Sequence, residues 1–150
     1  MKNLPISETE FRGLAHITRR LEFFRSYTGG QLDAILSHLQ LYAFDRGETV
    51  FKKGDTPVAF YIIYDGQVRI HLGYRLWGLF RKMAHLSSGD LFGEIALIEN
   101  RPHSATAVAE LPTKLFVLLR DDFDKLLQGD PEFAELIKFV ASRRKFETTH

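Results

Sequence analysis

The stretch Ser88–Val108, SGDLFGEIALIENRPHSATAV, decides how this chain is read. Ser88, Gly89 and Asp90 carry turn chemistry. They release an apolar pair, Leu91 and Phe92, after which Gly93 and Glu94 open a short helical run through Ile95, Ala96, Leu97 and Ile98. A polar loop with Pro102 follows, and then Ser104, Ala105 and Thr106. A glycine opening a short helical turn leaves backbone N–H groups without intrahelical partners, pointing one way, and these favour an anion. Glu94 in that first turn sets an acceptor beside the anion. Such a pair suits a ligand that carries hydroxyls as well as phosphate.

Outward from this stretch the apolar pattern has period two. From Leu41 onward, short runs rich in Val, Ile, Phe and Tyr alternate with turns centred on Gly47, Gly54, Gly66 and Gly89. Strands at that spacing predict an antiparallel β-roll or jelly roll. Lys114–Leu119 reads as its last strand. Helices flank the roll. Ser7 and Glu10 have capping-box spacing, and Phe11, Leu14, Thr18 and Leu21 recur at helical intervals. A second helix opens at Thr28, with Gln31 three residues on, and runs through Leu32, Ile35, Leu36 and Leu39, with Phe23 and Phe24 as packing residues before it. At the other end Asp121 is the expected cap of a short helix through Leu127, with Asp124 at its third position. Asp130 and Pro131 start a final helix with the stripe Phe133, Leu136, Ile137 and Val140 and the basic residues Arg143, Arg144 and Lys145 near its end.

The residues Phe92-Gly93-Glu94-Ile95-Ala96-Leu97, with Pro102, Ser104, Ala105, Thr106 and, one residue late, Val108, resemble the phosphate-binding cassette of the cyclic nucleotide-binding domain. This family includes the catabolite-activator-type regulators, protein kinase A regulatory subunits and cyclic nucleotide-gated channels. The runs Gly47–Asp55 and Phe60–Ile70 resemble it too, so the likeness extends over about 24–140. It implies one domain over 1–150: N-terminal helices at 1–40, a β-roll at 41–119 with the cassette at 92–108, and C-terminal helices at 121–147 that include a hinge helix. It implies that Gly93 and the backbone of Ala96, Ser104 and Ala105 cradle a cyclic phosphate and that Glu94 accepts from the ribose 2′-hydroxyl. The implied ligand-binding set is Gly93, Glu94, Ile95, Ala96, His103, Ser104 and Ala105, and the implied ligand is cAMP or cGMP. One position departs: where the family carries an arginine that pairs with the phosphate, this chain has His103. Losing that charge-assisted pair predicts affinity lower by about tenfold to a hundredfold. If His103 faces the phosphate, affinity should rise as pH falls through about 6.5. Arg101 is close by, with Pro102 expected to turn it outward.

Composition narrows the class. The chain has 150 residues, 45% hydrophobic and 26% charged, the balance of one soluble globular domain. A net charge of +1 offers no argument for a polyanionic partner. Cysteine is absent, which removes disulfide and thiolate chemistry and fits a cytoplasmic protein. No apolar run approaches the ~20 residues of a membrane span, and Glu8 and Glu10 oppose a signal peptide. The segment His71–Met83 mixes Tyr74, Trp77 and Phe80 with Arg75, Arg81 and Lys82. Such mixtures occur on nucleic-acid and protein surfaces, but a hairpin packing its apolar side on the roll is the preferred reading, and no nucleic-acid or membrane partner is expected.

The leading reading is therefore a regulatory sensor module that binds a cyclic nucleotide and signals to an effector protein or attached domain, with the final helix as a hinge or the seam of a homodimer. The alternative is a ligand-free domain of the same fold acting through protein contacts. A metal-dependent jelly-roll enzyme using His71, His85 and His103 fits poorly, because the sequence has no His-x-His pair. No cofactor and no catalytic constellation is expected. A transcription factor would need a helical pair after the final helix, and none is expected here.

Overall fold

The structure is a computed structural model that describes residues 1–20, 35–74, 81–135 and 137–138, without the side chains of 18–20, 72–74, 81 and 82. Two antiparallel sheets build the roll. The first holds β1 (Lys2–Leu4), β2 (Gln40–Phe44), β9 (Thr113–Leu119), β4 (Ala59–Asp65) and β7 (Leu91–Phe92), in that order. The second runs β3 (Thr49–Phe51), β8 (Thr106–Ala109), β5 (Gln67–Tyr74) and β6 (Arg81–Ser87). The helices are α1 (Glu8–Arg20), α2 (Glu94–Glu99) and α3 (Arg120–Gly129), with further helical turns at 35–36 and within 131–138.

Strand alternation sorts the core into two layers. In β4, Ala59, Tyr61 and Ile63 join the layer between the sheets, alongside Leu115 and Val117 of β9 and Val68, Ala107 and Ala109 of the second sheet. The intervening residues, Phe60, Ile62, Phe116 and Leu118, face the helices, where they meet Leu14, Ile17, Leu97, Phe123, Phe133 and Ile137. Strands β4 and β9 are thus apolar on both faces, as strands buried on both sides must be. Burial of this kind contributes about 1.5–3 kcal/mol per large side chain and holds the roll against its helices.

Several local expectations hold. The Ser7 N–H donates to the Glu10 carboxylate at 3.1 Å, the reciprocal half of a capping box. Asp130 Oδ1 accepts from the N–H groups of Glu132 (3.0 Å) and Phe133 (3.1 Å), so it caps the final helix. All four predicted turn glycines take positive φ. Others are corrected. The chain begins with β1, too short for any periodicity, which pairs Leu4 with Leu41. The buried stripe of α1 is Leu14 and Ile17, while Phe11 is 42% exposed. Asp121 lies inside the first turn of α3, whose N-cap is Leu119 without a side-chain bond. Of the stripe expected on the final helix, Phe133 and Ile137 are buried in the core, as that stripe requires. The predicted residues Leu21, Phe23, Phe24, Thr28, Gln31, Leu32, Arg75, Trp77, Phe80, Leu136, Val140 and Arg143–Lys145 lie outside the described residues, as does the rest of 139–147.

Candidate functional site

The cassette is positioned by one close approach. Strand β7 pairs Phe92 with Tyr61, and the two rings stack with centroids 5.0 Å apart. The next residue, Gly93, takes φ 83°, and a Cβ built there would lie 3.0 Å from Cδ2 of Tyr61 and 3.2 Å from its Cε2. The backbone angle favours glycine, and a side chain here would also press on the Tyr61 ring. From this point α2 starts with no side-chain cap. Leu97 anchors it in the helix-side core, and Glu94 is only 3% exposed.

What leaves α2 is equally constrained. Asn100 closes the helix in the left-handed region (φ 52°, ψ 48°), a conformation Asn tolerates better than most residues. Its side-chain oxygen accepts from Arg120 Nη1 at 3.0 Å, and Arg120 Nε donates to the Pro57 carbonyl at 3.0 Å. The start of α3 is thereby clasped to the end of the cassette helix. Beyond Pro102, the His103 N–H donates to the Asp55 carbonyl at 2.9 Å, and the His103 carbonyl accepts from the Gly54 N–H at 2.8 Å. This pins residue 103 to the turn after β3.

The imidazole of His103 consequently lies on Phe51, with ring centroids 3.6 Å apart and planes 8° from parallel. Burial lowers its pKa below the usual histidine value, with the negative charge of Asp55 opposing that shift. The shift disfavours the protonated ring.

All seven residues of the predicted set, Gly93, Glu94, Ile95, Ala96, His103, Ser104 and Ala105, line one cleft of about 370 Å³. A cleft of this size accommodates a small organic ligand. The cassette residues Phe92 and Pro102 also line it, and residues that the sequence reading did not select complete it: Phe51, Glu99, and the apolar group Ile70, Ala84 and Leu86. The last three come from β5 and β6, where Ile70 opposes Ala84 and Val68 opposes Leu86. Their period-two spacing was visible, but which face of the second sheet meets the cassette was not. Arg101 also lines the cleft, with its side chain 73% exposed. The other histidines go elsewhere: His71 Nε2 is 2.5 Å from Arg69 Nε, and His85 Nδ1 is 2.5 Å from Glu110 Oε1. The three histidines of the metal reading therefore do not share a site.

The sequence pattern of the family described as Cyclic nucleotide-binding domain matches residues 42–130. The chain belongs to the cyclic nucleotide-binding domain family. The cyclic AMP receptor protein of Thermus thermophilus is 34% identical to this domain over 124 residues, covering 81% of this chain and 56% of that protein. A cGMP-dependent protein kinase of Toxoplasma gondii is 32% identical over 125 residues, 81% of this chain but 12% of the kinase. Among solved structures, a cyclic nucleotide-binding domain from Methylobacillus flagellatus superposes with TM-score 0.81 at 24% identity, covering 97% of this chain and 83% of that one, a likeness of fold. This domain thus spans about half the length of one curated relative and a small fraction of the other. Among its described residues no helix is long and apolar enough to cross a membrane.

Proposed function

We propose that this cyclic nucleotide-binding domain is a regulatory sensor module that takes cAMP or cGMP into the cleft beneath α2, with affinity reduced by the histidine at position 103. The observation that carries the reading is the convergence of the seven cassette residues on one cleft with the buried carboxylate of Glu94 among them. In this arrangement the first-turn N–H groups of α2 and the backbone of Ser104 and Ala105 meet the cyclic phosphate, and Glu94 accepts from the ribose 2′-hydroxyl. Ile70, Ala84 and Leu86 offer the base an apolar wall. Occupancy is passed to an attached domain or effector protein in the cytoplasm through α3 and the final helix, which is also where a homodimer would form.

A ligand-free role through protein contacts has one observation in its favour, the commitment of the His103 ring to Phe51. Calorimetric titration with cAMP and with cGMP at pH 7.5 and pH 6.0 separates the two. Saturable binding of either nucleotide supports the sensor. Silence at millimolar ligand overturns it in favour of the protein-contact reading.

A further inference from the structure

The imidazole at position 103 is committed to a packed contact instead of a phosphate charge. Its ring is stacked on Phe51, and its backbone is tied on both sides to the turn at 54–55, so exposing the ring breaks a packed contact. Among the described residues lining the cleft, the charged side chains are Glu94, Glu99 and Arg101. The one cation in this set is Arg101.

Its root is tied to α2 and its tip is exposed. The Arg101 N–H donates to the Ala96 carbonyl at 3.1 Å, which fixes the residue to the last turn of α2, and the preceding Asn100 is clasped by Arg120. The side chain itself is 73% exposed at the mouth of the cleft. Its Nε stands 3.6 Å from Glu99 Oε2, beyond hydrogen-bond length, so the pair is loose. A guanidinium carries five donors in a planar fork matched to phosphate oxygens, and it keeps its charge at any physiological pH. Resting against Glu99, it is free to exchange that carboxylate for a stronger anion.

We infer that Arg101, two residues before the family's arginine position, supplies the positive charge that meets the phosphate, and that Glu99 holds it in reserve when the cleft is empty. The inference deepens the sensor reading and rests on it. It also sets two opposite signs at neighbouring residues. Removing the guanidinium weakens binding, whereas neutralising Glu99 frees the guanidinium and strengthens binding.

Calorimetry of the wild type, R101Q, R101K and E99Q with cAMP and cGMP, and with adenosine and guanosine as phosphate-free probes, tests this. R101Q should lower cyclic nucleotide affinity about tenfold to a hundredfold, R101K should lie between R101Q and wild type, and nucleoside binding should not change. E99Q should tighten cyclic nucleotide binding several-fold, and added salt should weaken the wild type more than R101Q. A wild type that binds while R101Q binds equally well overturns the role of Arg101 and leaves the sensor reading standing. An equal loss for nucleotide and nucleoside overturns it too, because the residue then shapes the cleft instead of meeting the phosphate. A wild type that binds neither cyclic nucleotide brings down both readings.

Discussion

The imidazole of His103 lies flat against the phenyl ring of Phe51, 3.6 Å between centroids and 8° from parallel, although the two are 52 positions apart in sequence. The contact turns a position that the family uses for phosphate into part of the wall between β3 and the cassette loop. It seals one side of the cleft and closes the loop after Pro102 onto the turn at 54–55.

Restoring the family residue should exchange stability for affinity. H103R regains a charge-assisted fork and should bind cyclic nucleotide about tenfold to a hundredfold more tightly. It also loses an aromatic stack of about 0.5–1.5 kcal/mol, which lowers the melting temperature by a few degrees for a domain of this size. Titration and thermal unfolding of the same variant measure both. A gain in affinity with no loss of stability would show that the stack contributes nothing.

The pH dependence has a defined sign. Burial lowers the pKa of His103 in the folded state, so folding is unaffected by this group above about pH 6.5. As pH falls below that value the unfolded chain takes up a proton that the folded chain resists, and stability drops until the lowered folded-state value is reached. Melting curves of wild type and H103F from pH 7.5 to 5 should diverge in favour of H103F as pH falls. Ligand affinity should stay flat between pH 7.5 and 6.5; a rise there would mean that the ring leaves Phe51 and meets the phosphate.

Gly93 accepts no side chain without strain. G93A forces an L-residue to φ 83° and drives a methyl against the Tyr61 ring. The backbone term alone costs about 1–2 kcal/mol, so the melting temperature should fall by roughly 2–8 °C. Nucleotide binding should weaken with it, because α2 starts from this residue. Thermal unfolding that matches the wild type would show that the Tyr61 contact is not kept in solution.

Glu94 should govern recognition of the ribose. The wild type is expected to prefer cAMP over 2′-deoxy-cAMP by about tenfold or more, the value of a hydrogen bond to a charged acceptor. E94Q should erase most of that preference while binding the deoxy ligand nearly as before. Titration of both proteins with both ligands gives the four affinities. An undiminished preference in E94Q would move the ribose contact elsewhere.

Much of this architecture was legible residue by residue. The capping pair Ser7 and Glu10 and the cap at Asp130 are contacts over two or three positions, and backbone chemistry alone specifies them. The turn glycines are legible for the same reason, since few other residues reach positive φ cheaply. Alternation along β4 and β9 was legible as well, because opposite faces of a strand meet different layers. Phe11 was misread because helical spacing identifies a stripe without saying which of its members the sheet reaches, and Tyr64 approaches the helix at Gly13 instead. Strand β1 was invisible because three residues have no period, and only pairing with β2 makes them a strand.

By itself, then, the sequence determined the strand–turn rhythm and the helix starts at Ser7 and Asp130 through interactions between near neighbours in the chain, while the cassette residues were named by their resemblance to a family. Only the tertiary structure decided that His103 stacks on Phe51, that Arg120 clasps Asn100, and that Ile70, Ala84 and Leu86 wall the cleft beside Arg101. Those partners are separated by up to 52 positions. Contacts at such range are set by sheet register and by which faces close on one another, and neither is encoded in any local window of residues.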